Sequence, residues 1–150
     1  MPHSIFSFVN RSIPNEWHCN QSIGVLWSPN ILYMRGSSFH IKLPISSECI
    51  NKIVIIKMGK DGCLVAYENR IEHVSIVPDT PVFDPTGAGD SFAGGLLGYI
   101  SAYGLSDPVM AACYGTAVAS YTVSGFGLEN LLTMNHSSLM GKINQIEVIW

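Results

Sequence analysis

The sequence predicts an α/β fold, and three observations carry that prediction. Ile53-Val54-Ile55-Ile56 is a continuous β-branched run of the kind found in strands covered on both faces. Phe92, Leu96, Tyr99, Ile100 and Tyr103 recur at helical spacing and fall on one face. Val109 to Val123 is rich in small residues (Ala111, Ala112, Gly115, Ala117, Ala119), the composition of a helix buried on most sides.

The elements follow in order. Residues 1–50 carry Pro2, Pro14, Pro29 and Pro44, which interrupt any regular element. Ile31-Leu32-Tyr33-Met34 and Phe39-His40-Ile41-Lys42-Leu43 read as short strands. From residue 50 the pattern sharpens. The Ile53–Ile56 strand is broken by Gly59-Lys60-Asp61-Gly62, and Cys63-Leu64-Val65-Ala66-Tyr67 reads as a second strand. Glu68-Asn69-Arg70 makes a turn into a third, Ile71 to Val77. Prolines at 78, 81 and 85 mark a connector, after which Thr86-Gly87-Ala88-Gly89-Asp90 opens a helix. Gly94, Gly95 and Gly98 lie inside that helix, each costing up to about 1 kcal/mol relative to Ala, so close approach by a neighbouring element is expected there. Asp107 and Pro108 have the types of a cap and first turn for the buried helix. Gly125 and Gly127 end it, Leu128 to Leu132 adds a turn, and Ser138 to Trp150 reads as a last helix.

Composition narrows the function. The chain has 150 residues, 47% hydrophobic and 13% charged, enough apolar side chain for a core and too little charge for disorder. A net charge of -3 gives no electrostatic reason to expect nucleic acid or an anionic membrane as partner. No apolar run approaches the roughly 20 residues of a membrane span, and the first residues lack the pattern of a signal peptide. Cysteines at 19, 49, 63 and 113 have wide, irregular gaps, which argues against zinc and fits buried thiols in a reducing cytoplasm. The three Asn-x-Ser triplets, at Asn10, Asn20 and Asn135, are then chance matches.

The strongest chemical signal is Asp84-Pro85-Thr86-Gly87-Ala88-Gly89-Asp90-Ser91-Phe92. A Gly-Ala-Gly turn exposes successive backbone N–H groups, and the helix it opens leaves further N–H groups without intrahelical partners. Together these make a site for an anion such as phosphate. A carboxylate is a poor neighbour for a bound anion, so Asp90 calls for a second role. A base that takes a hydroxyl proton while phosphoryl charge is held by amides supplies one. Phe92 stands where the dinucleotide fingerprint needs glycine, and Asp61 follows Gly59-Lys60 where the Walker pattern needs Ser or Thr.

The longer string resembles the C-terminal signature of the PfkB, or ribokinase-like, family of carbohydrate and nucleoside kinases. Lys57-Met58-Gly59-Lys60-Asp61-Gly62 resembles that family's phosphate-contacting loop. Ala117 to Val123 with Gly125-Phe126-Gly127 resembles its nucleotide-side helix and loop. The likeness covers residues 50–133. It implies an αβα sandwich with a mostly parallel central sheet, here truncated, and transfer of the γ-phosphoryl of ATP to a hydroxyl of a sugar or nucleoside. Asp90 matches the catalytic base, and the amides of Gly87, Ala88 and Gly89 match the anion hole. Lys57, Gly59 and Gly62 match ATP-binding positions. Asp84 and Thr86 match positions that bind a monovalent cation, such as K+, in some members. Mg2+ accompanies ATP, with no residue of this chain assigned to it.

The departures are equally specific. Family members are much longer, and their N-terminal half brings an early Gly-Gly and an acceptor-gripping aspartate. Here Gly94-Gly95 is the one Gly-Gly, and no aspartate precedes Asp61. Asn69-Arg70-Ile71-Glu72 and Asn144-Gln145-Ile146-Glu147 lie downstream of the loop, where the family's Asn-x-x-Glu does not, and read as chance. The expectation is a divergent or foreign leader over 1–49 and the ATP-binding part of a kinase over 50–150. The alternative is an inactive nucleotide-binding fragment or interaction module, and apolar faces left uncovered would favour association.

Overall fold

The computed structural model describes residues 25–28, 31–35, 53–68 and 70–149. Their strands form one six-stranded sheet in which strand order follows chain order: β1 (Val25–Ser28), β2 (Ile31–Arg35), β3 (Ile53–Lys57), β4 (Cys63–Tyr67), β5 (Arg70–Val74) and β6 (Val148–Ile149). The sheet departs from the expected parallel arrangement. β2 and β3 pair in parallel, whereas β1–β2, β3–β4, β4–β5 and β5–β6 are antiparallel. The reason is connection length: the short links between β1 and β2, β3 and β4, and β4 and β5 can only reverse the chain, since a parallel neighbour needs a crossover of a dozen or more residues.

The register settles the faces. Ile55 lies opposite Val65, which lies opposite Glu72, and Lys57, Cys63 and Val74 form the next row. Ile55, Cys63, Val65 and Val74 are buried against the helices. Val54, Ile56 and Ala66 point to the opposite face and are buried too. β3 is therefore covered on both faces, as its unbroken β-branched run predicts. The expected strand at residues 31–34 is β2; the one expected at 39–43 lies outside the described residues.

Four helices follow: α1 (Ala88–Tyr103), α2 (Pro108–Val123), α3 (Glu129–Leu132) and α4 (His136–Ile143). α2 lies on β4 and β5, and α1 packs along α2. The Asp107 side chain accepts from the Met110 N–H at 2.8 Å, and Pro108 occupies the first turn, as predicted. Phe92 and Leu96 of α1 are buried, while Tyr103 at the far end of the same face is exposed.

Of the interior glycines, Gly95 alone answers the expectation of close approach. A Cβ there would lie 2.8 Å from the Tyr114 carbonyl oxygen, whereas Gly94 and Gly98 face open space. Gly115 of α2 is the counterpart, its would-be Cβ 2.8 Å from the Phe92 carbonyl oxygen. The predicted last helix is corrected. α4 starts at an Asn135 capping box and ends at Ile143, and the chain then turns into β6, as the β-branched residues Val148 and Ile149 prefer. The third strand stops at Val74, because Ser75 turns to Glu147 instead: its N–H donates to the Glu147 carbonyl at 2.9 Å, and its hydroxyl accepts the Glu147 N–H at 2.9 Å. Among the described residues no helix is long and apolar enough to cross a membrane.

Candidate active site

The end of β3 meets the start of α1. Lys57, the last residue of the strand, carries its ammonium to the first turn of the helix, where a methyl on Gly89 would come within 2.7 Å of Nζ. The same ammonium stands 5.4 Å from the centroid of the Phe92 ring. Two positive features thus converge, since a helix N-terminus carries roughly half a unit of positive charge. Such a corner is suited to an anion held between them. Asp90, exposed in the same turn, adds a carboxylate at its edge.

The glycine loop has a defined shape. The Asp84 carboxylate accepts the Thr86 N–H at 2.9 Å. Hydrogen bonds from the Thr86 hydroxyl and then from its backbone hold that carboxyl below the usual range. Gly87 caps α1 with φ +79°, a left-handed conformation that glycine adopts without strain. The first α-helical bond runs from the Ser91 N–H to the Gly87 carbonyl at 2.9 Å. The Ala88 N–H donates to the Pro85 carbonyl at 3.2 Å, so this one of the three expected anion-hole amides is occupied by the turn.

The end of α2 fastens the loop from behind. The Phe83 N–H donates to the Val123 carbonyl at 2.8 Å, and the Thr122 hydroxyl donates to the Ser91 hydroxyl at 2.6 Å. Sequence reading passed over this Ser91–Thr122 link. Its signal is a run of hydroxyl residues, Thr116, Ser120 and Thr122, in an otherwise apolar buried helix.

Gly59 and Gly62 lie in the turn that follows Lys57. The Met58 N–H donates to the Gly62 carbonyl at 2.8 Å, and His73 Nε2 lies 2.6 Å from the Asp61 carbonyl oxygen. Gly62 has φ +81°, and a Cβ on it would come 2.1 Å from the Val74 carbonyl oxygen, so no other residue fits there. A further loop, Ser124 to Leu128, is tied down by Asn130, whose Nδ2 donates to the Ser124 carbonyl at 2.7 Å. Its Phe126 faces Phe83 at 6.4 Å between ring centroids, both rings largely exposed.

The structure therefore gathers Lys57, Gly87, Gly89 and Asp90 at one corner, with Asp84 and Thr86 in the turn leading into it. The thiols stand apart: burial pushes Cys63 up to about 12 and Cys113 up to about 11, which makes both poor nucleophiles. Among the described residues no group of three or more His, Cys, Asp or Glu gathers to hold a metal ion.

Known proteins resemble this chain in sequence and fold. The chain is 24% identical over 148 residues to a ribokinase of Staphylococcus aureus, a match that covers 97% of this chain and 44% of the relative. The crystal structure of aminoimidazole riboside kinase from Salmonella enterica, complexed with aminoimidazole riboside and an ATP analog, superposes with a TM-score of 0.52 at 29% identity, covering 61% of this chain and 31% of that one. The nucleoside kinase of Methanocaldococcus jannaschii, an archaeal member of the ribokinase family, superposes with a TM-score of 0.59 at 23% identity, covering 77% of this chain and 40% of that one. The chain thus spans less than half the length of each of these proteins. Residues 41–134, well over half of the chain and including the strand-end lysine, both glycine turns and Asp90, match the pfkB family of carbohydrate kinases, and to that family the chain belongs.

Proposed function

We propose that this chain carries the nucleotide-binding part, over residues 50–150, of an ATP-dependent kinase that moves the γ-phosphoryl group to a hydroxyl of a sugar or nucleoside. The observation that carries the reading is the convergence of the Lys57 ammonium on the glycine-led N-terminus of α1, one residue from Asp90. Phosphoryl transfer asks a protein mainly for positioning and charge stabilisation, and this corner is built for both. Asp90 takes the acceptor hydroxyl's proton as its oxygen bonds to the γ-phosphorus and the bond to the ADP oxygen breaks. In this reading the glycine turn at Gly87 and Gly89 takes up the charge of the transferring group. Ala88 joins them by giving up its 3.2 Å bond to Pro85. Lys57 and the loop through Gly59 and Gly62 serve the nucleotide phosphates.

Magnesium would accompany the nucleotide, with no residue of this chain assigned to it, and would supply neutralisation of phosphate charge. Asp84 and Thr86 fit a monovalent cation such as K+, because the carboxyl is kept ionised by its own turn. A reducing cytoplasm suits the two buried free thiols.

A second reading, an inactive nucleotide-binding fragment or interaction module, is favoured by one observation. Phe83, Phe126, Leu128 and Leu132 stand exposed, an apolar surface suited to a partner. One experiment separates the two. The chain is incubated with Mg-ATP and a panel of pentoses, hexoses and nucleosides, and ADP and phosphorylated product are measured. Product that disappears in Asp90→Asn supports the kinase. Saturable Mg-ATP binding without product supports the second reading, and absence of both sinks the nucleotide role altogether.

A further inference from the structure

We infer that His73 is a positioning residue for the Met58–Gly62 loop, holding it in the form that receives nucleotide phosphates; this rests on the nucleotide role proposed above. The loop is weakly self-supported. One of its internal bonds is short, Met58 N–H to Gly62 O at 2.8 Å. The other two, Asp61 N–H to Met58 O and Gly62 N–H to Gly59 O, are 3.3 and 3.2 Å. The Lys60–Asp61 ion pair, at 3.8 Å, is open to solvent and holds little.

External anchoring comes from β5. Gly62 sits directly on the backbone at Val74 and Ser75, where even a methyl does not fit. One residue before, His73 Nε2 lies 2.6 Å from the Asp61 carbonyl oxygen. A carbonyl only accepts, so Nε2 carries the hydrogen and donates. This side-chain hydrogen bond reaches the loop from another element. His73 lies in the sheet between Leu64 of β4 and Ile149 of β6. The imidazole is thus a fixed post to which the exposed Asp61 end of the loop is tied. Lys57 enters the loop at its other end.

The test uses the 150-residue chain and Mg-ATP as probe. His73→Gln keeps an N–H donor; His73→Leu and His73→Asn remove it or shorten its reach. The Kd for Mg-ATP is measured by calorimetry, and amide exchange is followed across residues 58–62. Loss of the tie is expected to raise Kd about fivefold, the factor matching the ~1 kcal/mol of an ordinary hydrogen bond, and to speed exchange in the loop. The Gln variant is expected to stay within about twofold of the parent. A His that only supports the sheet would lower thermal stability without moving Kd. Equal Kd for parent, Leu and Asn chains overturns the inference and leaves the nucleotide role standing, as does a Gln variant as weak as the Leu variant. A parent chain that shows no saturable Mg-ATP binding overturns both.

Discussion

Gly94 and Gly95 are neighbours in sequence, yet alanine at the two positions is expected to change stability in opposite directions. In a helix interior Ala is favoured over Gly by about 0.8–1.0 kcal/mol. At Gly94 nothing lies within 4 Å of the new Cβ, so most of that preference is realised and Gly94→Ala stabilises by about 0.5–1 kcal/mol. At Gly95 the same methyl would meet the Tyr114 carbonyl oxygen at 2.8 Å and Val118 Cγ2 at 2.9 Å. The valine can turn, but the carbonyl is backbone, so α1 must move away from α2. Overpacking of this kind costs about 1–3 kcal/mol, and after the helix preference is subtracted Gly95→Ala destabilises by about 1 kcal/mol. The two variants should therefore differ by about 2 kcal/mol, or roughly 4–8 °C in Tm for a chain of this size. Urea and thermal unfolding followed by circular dichroism measure the difference. Two variants that shift in the same direction would refute the helix contact as described.

Other outcomes follow from the same geometry. Asp90→Asn is expected to lower any phosphoryl transfer by about 10²–10⁴-fold while leaving Mg-ATP binding in place, since a general base acts on the acceptor; coupled ADP release and calorimetry check both halves. Lys57→Met should weaken Mg-ATP by about tenfold or more, as expected for a charge-assisted contact, and an unchanged Kd would remove Lys57 from the site. Tyr67→Phe strips the buried Glu72 carboxylate of its phenol donor and should cost about 1–3 kcal/mol in urea unfolding; a cost near zero would mean water replaces the phenol. Cys63 and Cys113 are raised from 9.0 to about 12 and about 11, so the stability linked to their protonated forms is complete below pH 9 and is lost as pH climbs through those values. Peptide-resolved alkylation at pH 8 should find both protected in the folded chain and reactive in urea.

Much of this was legible in the sequence because it depends on local chemistry. The β-branched run of β3, the Asp107–Pro108 start of α2 and the glycine turn into α1 each carry their cause within a few residues. The chain direction in the sheet was missed, since the family likeness was read for the whole sandwich and the short turns after Lys57 and Tyr67 were not counted against it. β6 was hidden because two residues are too few to show a period, and Val148 and Ile149 gain their strand only by meeting His73 and Val74. Within the site, Asp84 to Asp90 announced itself, whereas the ties that hold it did not. Thr122 with Ser91, Asn130 with Ser124 and His73 with Asp61 join residues between 6 and 31 positions apart, and no spacing rule predicts such pairs.

The sheet's order also bears on how the chain is made. β3, β4 and β5 follow one another closely, so each strand can pair with its predecessor as soon as it leaves the ribosome. β6 breaks this sequence. Its partner β5 is finished at Val74, yet Val148 is not made until all four helices have been translated. For that interval β5 presents an open hydrogen-bonding edge, with the exposed Ile71 and Ile76 close by. Synthesis is therefore a stage at which this edge is open to pairing with a copy of itself, and the arrival of Val148 and Ile149 covers it at His73 and Val74.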